Sequence, residues 1–196
     1  MTRPRLVLAS RSPRRTDLLR SLLDESAPEA EFEVAPADVD EVPLAGEAPR
    51  DMVVRLALAK ARAVAARVGG GAMVIGADTT VELDGESLGQ PADADAARAT
   101  LRRLSGRTHL VHTGVAVLYE GAEAPGVDTA RVTFVPLTDA LVDWYVSTGE
   151  PMDKAGAYGI QGQGAVLVDR VEGQVSTVVG LPLRLLAGRM AALGWK

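Results

Sequence analysis

Hydrophobic and polar positions alternate between short apolar runs and longer segments with helical spacing, the rhythm of an α/β domain. Leu6-Val7-Leu8-Ala9 predicts a first buried strand. Asp17 to Leu23 follows with helical spacing, behind Ser12-Pro13, a capping residue with proline at the first helical position. Glu33-Val34-Ala35 predicts a second strand. Pro49 opens a long helix with apolar positions at Met52, Val53, Leu56, Ala59, Ala63 and Val64, and Gly69-Gly70-Gly71 stops it. Met73-Val74-Ile75 predicts a buried strand that runs into small residues, then Asp78, Thr79 and Thr80, and then a second short strand, Val81-Glu82-Leu83. On this pattern Asp78 stands at the carboxyl end of an apolar strand. Asp84-Gly85 predicts a tight hairpin turn. A helix is expected from Ala92 to Leu104, a strand from Thr108 to Leu118, and its partner from Thr129 to Val135 across a Gly/Pro/Glu loop. Asp139 to Val146 has helical spacing, Ala165 to Val171 predicts the last strand, and Pro182 to Leu193 the last helix.

No repeat or linker divides this pattern, so one domain over residues 1–196 is expected. The 47% hydrophobic and 24% charged residues are those of an ordinary globular chain. The absence of cysteine excludes a disulfide framework, a thiolate zinc site and a cysteine nucleophile. The apolar run near the amino terminus ends after about four residues, well short of a signal sequence, and no segment approaches the roughly 18 apolar residues of a membrane span. A soluble cytoplasmic protein is the expectation, with no membrane partner. A net charge of −5 argues against nucleic acid as a partner, because backbone binding needs a basic face.

Basic clusters therefore carry more information here, and one lies in the turn Ser10-Arg11-Ser12-Pro13-Arg14-Arg15. Arginines in the first turn of a helix oppose its dipole. Either the turn is a solvated basic surface, or an anion sits there, cradled by backbone N–H groups and the hydroxyls of Ser10 and Ser12 and clamped by arginine. Asp78 and Thr79 admit two readings as well: shaping a turn, or facing a ligand at the crevice where open α/β sheets bind theirs. Asp38, Asp40 and Glu41 are either a solvated loop or oxygen ligands for a hard cation. Lys60 either snorkels along its helix or reaches into a cleft. Met152 to Gly164 mixes polar side chains with repeated glycine. It reads as a flexible loop, or as backbone that a ligand approaches closely, with Gln161 offering donor and acceptor to a base edge. His109 and His112, three apart on a strand, face opposite sides and make a poor joint metal site.

Taken in order, Leu8-Ala9-Ser10-Arg11-Ser12-Pro13-Arg14-Arg15, Asp40-Glu41, Arg55-Leu56-Ala57 with Lys60-Ala61, Gly76-Ala77-Asp78-Thr79, Leu104-Ser105-Gly106, Asp153 to Gly162, and Val179-Gly180-Leu181-Pro182-Leu183 resemble the motifs of the Maf family. The series runs from residue 6 to about residue 185. The resemblance implies the fold of the inosine triphosphatase group: an elongated mixed β-sheet flanked by helices, with two lobes and a central cleft. It implies hydrolysis of a nucleoside triphosphate to monophosphate and pyrophosphate with a divalent cation, Mg²⁺ or Mn²⁺, and a homodimer. The Ala-Asp-Thr and Ala-Tyr-Gly-Ile-Gln-Gly versions resemble the branch acting on dTTP and UTP, with removal of noncanonical nucleotides as the wider role. Carried over by position, Asp78 is the proton acceptor and Arg14, Thr79 and Gln161 set specificity. Ser10, Arg15, Lys60 and Lys154 are polar residues of the cleft, and Glu41 joins Asp78 as a metal ligand. One position departs from the pattern: Gln90 stands where the family usually has lysine, which removes a phosphate-directed charge.

Two rival classes fit part of this pattern. A nucleotidyltransferase also combines a basic turn with metal-binding acids, but it usually has glycine in that turn, which Ser-Arg-Ser-Pro-Arg-Arg lacks. A regulatory protein of cell division would bind the nucleotide without turnover.

Overall fold

The computed structural model describes residues 4–195. Its sheet begins with three parallel strands, β1 (Arg5–Leu8), β2 (Phe32–Val34) and β3 (Ala72–Leu83), with Leu6 of β1 in register with Phe32 on one side and Met73 on the other. The crossovers between them are helices α1 (Pro13–Ser26) and α2 (Pro49–Val68). From β3 onward the sheet is antiparallel, through β4 (Glu86–Leu88), β5 (Thr108–Tyr119), β6 (Ala122–Phe134) and β7 (Val168–Glu172). The spatial order is β2-β1-β3-β5-β6-β7, with β4 beside the end of β3. Helices α3 (Ala94–Leu104), α4 (Asp139–Ser147), α5 (Val175–Val179) and α6 (Leu183–Ala192) complete the chain.

Strand alternation assigns the parallel half of the sheet to two helical layers. Leu6, Leu8, Met73 and Ile75 pack with Leu19 and Leu23 of α1 and with Leu186 and Met190 of α6. Val7, Val74 and Ala116 turn the other way, onto Ala57, Ala61 and Val64 of α2. A separate core fills the second lobe, where Val81, Leu83, Val111 and Phe134 meet Leu101 and Leu104 of α3 and Tyr145 of α4. The mixed sheet, flanking helices and cleft between two lobes match the architecture expected from the sequence.

Three expectations need correction. Asp78 does not end a strand, because β3 runs unbroken from Ala72 to Leu83 and pairs with β5 from Val74 to Glu82. The small residues that read as a break mark the close approach of α2: a Cβ on Gly76 would lie 2.2 Å from the Ala57 carbonyl oxygen. The Gly/Pro/Glu segment after β5 is not a loop. A two-residue turn, Glu120-Gly121, returns directly into β6, and Pro125 is accommodated opposite Ala116 in a stretch of β6 that β7 does not reach. The last strand starts only at Val168, because Gln163–Leu167 form a 3₁₀ turn. The short helix α5 carried no periodic signal.

His109 is buried in the second lobe, edge-to-face with Phe134 and Tyr158 at 5.0 and 5.3 Å, and its Nε2 pairs with the Tyr158 hydroxyl at 2.8 Å. His112 lies on the opposite face of β5, between Thr129 and Glu82, so the two rings share no site, as strand geometry requires. Burial lowers the His109 pKa from 6.5 to about 4. The unfolded chain takes up this proton near pH 6.5 and the folded chain only near pH 4, so stability falls as pH drops through that window and levels off below it. The expected loss is at most about 3 kcal/mol. Urea midpoints measured across the window should fall more steeply for the wild type than for His109→Gln; equal slopes would remove His109 as the cause.

Candidate active site

The site forms where the parallel part of the sheet gives out. β1 pairs with β3 as far as Ile75, and β4 joins β3 only at Val81, so Gly76 to Thr80 face no strand on that side. Arg15, in the first turn of α1, fills the gap. Its Nη1 donates to the Ala77 carbonyl at 2.9 Å and to Ser10 Oγ at 3.4 Å, its Nη2 to Thr79 Oγ1 at 3.0 Å, and its Nε to the Gly180 carbonyl at 2.8 Å. Burial pulls its pKa down, opposed by the charge of Asp78, but a guanidinium in this setting stays charged. Its donors hold β1, β3 and the turn after α5 together, which is a structural duty beyond the anion clamp expected from the sequence. Ser12 takes the N-cap backbone position without capping through its side chain; its N–H goes instead to Ser10 Oγ at 3.2 Å.

Alternation along β3 places Thr79 and Asp78 on opposite faces. Thr79 Oγ1 meets Thr113 Oγ1 at 3.0 Å, and Thr113 donates to the Thr177 carbonyl. Asp78 points toward α2, where Lys60 reaches it: the ammonium is 2.6 Å from Asp78 Oδ1 and 2.8 Å from Glu41 Oε1. Lys60 thus enters the cleft. Asp78 is 7% exposed, and burial raises its pKa against the charge and hydrogen bond of Lys60 and the charge of Arg15. It is a carboxylate that holds a proton more readily than a free one, within reach of solvent from the cleft. That is the character of a general base.

The opposite wall comes from the segment after α4. Lys154 donates to the Glu150 carbonyl at 2.6 Å and to Asp153 Oδ1 at 2.7 Å, and Arg14 reaches Asp153 Oδ2 at 3.1 Å across the mouth. Gln90 donates to the Asp153 carbonyl at 3.1 Å, so the residue that departs from the family pattern braces this wall. The Arg14–Asp153 pair lies at the solvent-exposed mouth, and such pairs contribute about 0–1 kcal/mol, so it holds Arg14 only weakly. Gln161 is exposed and lines the cleft without a hydrogen-bond partner among the described residues. All nine candidate residues, Ser10, Arg14, Arg15, Glu41, Lys60, Asp78, Thr79, Lys154 and Gln161, border one cavity of about 1200 Å³.

Sequence reasoning passed over Arg11, which lines the same cavity, is exposed and lacks an intramolecular partner among the described residues. Its place in the basic turn was the available signal. Asp153 and Glu150 were also missed, because their roles depend on which groups the fold brings to them: Arg14 and Lys154 for Asp153, the Gln163 and Gly164 N–H groups for Glu150. Among the described residues, no three metal-binding side chains converge. Asp78 and Glu41 do converge on one point of positive charge, the Lys60 ammonium. Such a pair fits a Mg²⁺ or Mn²⁺ that takes its remaining ligands from water and substrate phosphates, as small hard cations commonly do, and does not fit an all-protein cage.

Fold and site together define an α/β protein with a cleft built for a polyanion beside a buried carboxylate. The chain belongs to the Maf-like protein family, whose model matches residues 5–193. It is 51% identical over 196 residues to a dTTP/UTP pyrophosphatase of Anaeromyxobacter dehalogenans, covering 98% of this chain and 95% of that one. A dTTP/UTP pyrophosphatase of Myxococcus xanthus is 54% identical over 178 residues, at 91% and 87% coverage, and one of Thermococcus onnurineus is 46% identical over 181 residues, at 92% and 94%. Protein VC0702 of Vibrio cholerae shares the fold, with a TM-score of 0.50 at 14% identity over 98% of this chain and 96% of that one. No helix among the described residues is long and apolar enough to cross a membrane.

Proposed function

We propose that this protein is a nucleoside triphosphate pyrophosphatase acting on dTTP and UTP, and that Asp78 is its general base. The observation that carries the reading is the buried Asp78 carboxylate, tied to Lys60 in a cavity ringed by Arg11, Arg14, Arg15 and Lys154. Relatives at about half identity bearing that activity in their names support the substrate class.

A triphosphate brings about four negative charges into this acidic chain, and the ring of arginine and lysine side chains offsets them locally. Water attacks the α-phosphorus: the new O–P bond forms, the bridge oxygen to the β-phosphorus leaves with its electron pair, and Asp78 takes the proton from the water. The departing pyrophosphate carries the developing charge, which Arg14 and Lys154 meet from the mouth of the cleft. Asp78 and Glu41 would hold Mg²⁺ or Mn²⁺, which neutralises phosphate charge when bound. Lys60 keeps Asp78 oriented toward the cleft through its 2.6 Å bond. Gln161, whose carboxamide both donates and accepts, lines the cavity and is assigned to the pyrimidine edge.

Pyrophosphate release from dTTP, UTP, CTP and 7-methyl-GTP with Mg²⁺ or Mn²⁺ tests this directly. Release from dTTP and UTP at rates well above the others is expected. Binding without release would instead identify a regulatory protein, and a coupled nucleotide product on adding a second substrate a transferase.

A further inference from the structure

We propose that Tyr145 and Glu150 are positioning residues that set which nucleobase the cleft accepts, by pinning the backbone on both sides of Gln161. The inference rests on the nucleotide reading above and names the device behind its selectivity. The Tyr145 hydroxyl accepts from the Gly159 N–H at 3.0 Å and donates to Glu150 Oε1 at 2.9 Å. Glu150 Oε2 accepts from the Gln163 N–H at 2.8 Å, and Oε1 from the Gly164 N–H at 3.2 Å. Burial would raise the Glu150 pKa, yet these three donors and the Lys154 charge hold it below the ordinary value, so the carboxylate stays ionised as an acceptor. The segment from Gly159 to Gly164 is therefore stapled at both ends to one side-chain pair, and Gln161 hangs free at its apex, facing the cavity.

The glycines of this wall confirm where the contacts lie. A Cβ on Gly162 would fall 2.4 Å from Glu150 Oε2, one on Gly164 2.6 Å from the Tyr145 hydroxyl, and one on Gly159 2.5 Å from Lys154 Cε. Glycine at these positions lets the backbone close onto the Glu150, Tyr145 and Lys154 side chains. The sequence alone suggested close approach to a ligand.

Tyr145 is fully buried and does not line the cavity, so it acts only through the wall it holds. In Tyr145→Phe, the ratio of kcat/KM for dTTP over GTP should fall about tenfold, carried by KM, with kcat for dTTP changed by no more than about twofold. In a Gln161→Ala background the same substitution should leave the ratio unchanged, because the side chain it positions is gone. A uniform loss of kcat for every nucleotide at constant ratio, or an undiminished effect in the Gln161→Ala background, overturns the proposal. Glu150→Gln, which turns an amide N–H toward a backbone donor, should narrow the ratio in the same way. Amide hydrogen exchange of the wild type gives a reading that needs no variant to fold: Gly159, Gln163 and Gly164 should be protected while Ile160 and Gln161 exchange freely, and fast exchange at all five ends the proposal. A wild type that releases no pyrophosphate sinks the functional reading instead, whereas normal turnover with unchanged selectivity in Tyr145→Phe sinks only this inference.

Discussion

Asp78→Asn is expected to lower pyrophosphate release from dTTP by about 10²- to 10⁴-fold, the contribution of a positioned general base, while the protein still folds. Asparagine matches aspartate in shape and keeps an oxygen to accept from Lys60, so the 2.6 Å contact survives as a weaker, singly charged bond. It cannot take a proton from water. Because burial raises the Asp78 pKa, the wild-type rate should decline as pH falls through a value above the ordinary carboxylate range, and this limb should vanish in the variant. Steady-state kinetics beside circular dichroism separates lost chemistry from lost structure. Near-normal turnover in Asp78→Asn would transfer the role to another group.

Gly76→Ala should produce a large stability loss. The new Cβ would lie 2.2 Å from the Ala57 carbonyl oxygen and 2.9 Å from the Ala61 nitrogen, both backbone atoms of α2, so no flexible side chain can give way. The helix itself must move, and overpacking of this kind costs about 1–3 kcal/mol or more. Lys60 sits in the same turn of α2, so its bond to Asp78 lengthens with the shift and activity falls alongside stability. Gly188→Ala is the control. It lies in α6 with nothing within 4 Å of the new atom, and should stabilise by about 0.5–1 kcal/mol. A normal melting temperature and rate for Gly76→Ala would show that α2 is not held against the sheet as described.

The helices other than α5 were legible because their ends carry local chemistry. Pro49 opens α2 and Gly69 closes it at a positive φ of 76°, while Asp93 caps α3 by accepting from the Ala96 N–H. The Asp84-Gly85 turn was legible for the same reason, with positive φ at both residues. The extent of β3 and β6 was not, because small residues and proline weaken strand signals locally while pairing with β5 sustains both strands over long distances. Likewise the charge of Arg15 was visible, but its commitment to the Ala77 and Gly180 carbonyls was not. That depends on a gap between β1 and β4 that exists only once the sheet is assembled.

By itself, the order of residues determined the kinds of chemistry present: a basic first turn, an acid followed by a hydroxyl, and a glycine-rich segment that carries carboxamides. Those are properties of side chains and short spacings, and they survive in any conformation. Only the tertiary structure decided which groups face the cleft and which are spent on the protein itself. Hydrogen bonds saturate, so each donor or acceptor committed to backbone, as in Arg15 and Glu150, is one withdrawn from a ligand, and that allocation follows from contacts between separate segments, such as Arg15 with Gly180 and Glu150 with Gln163.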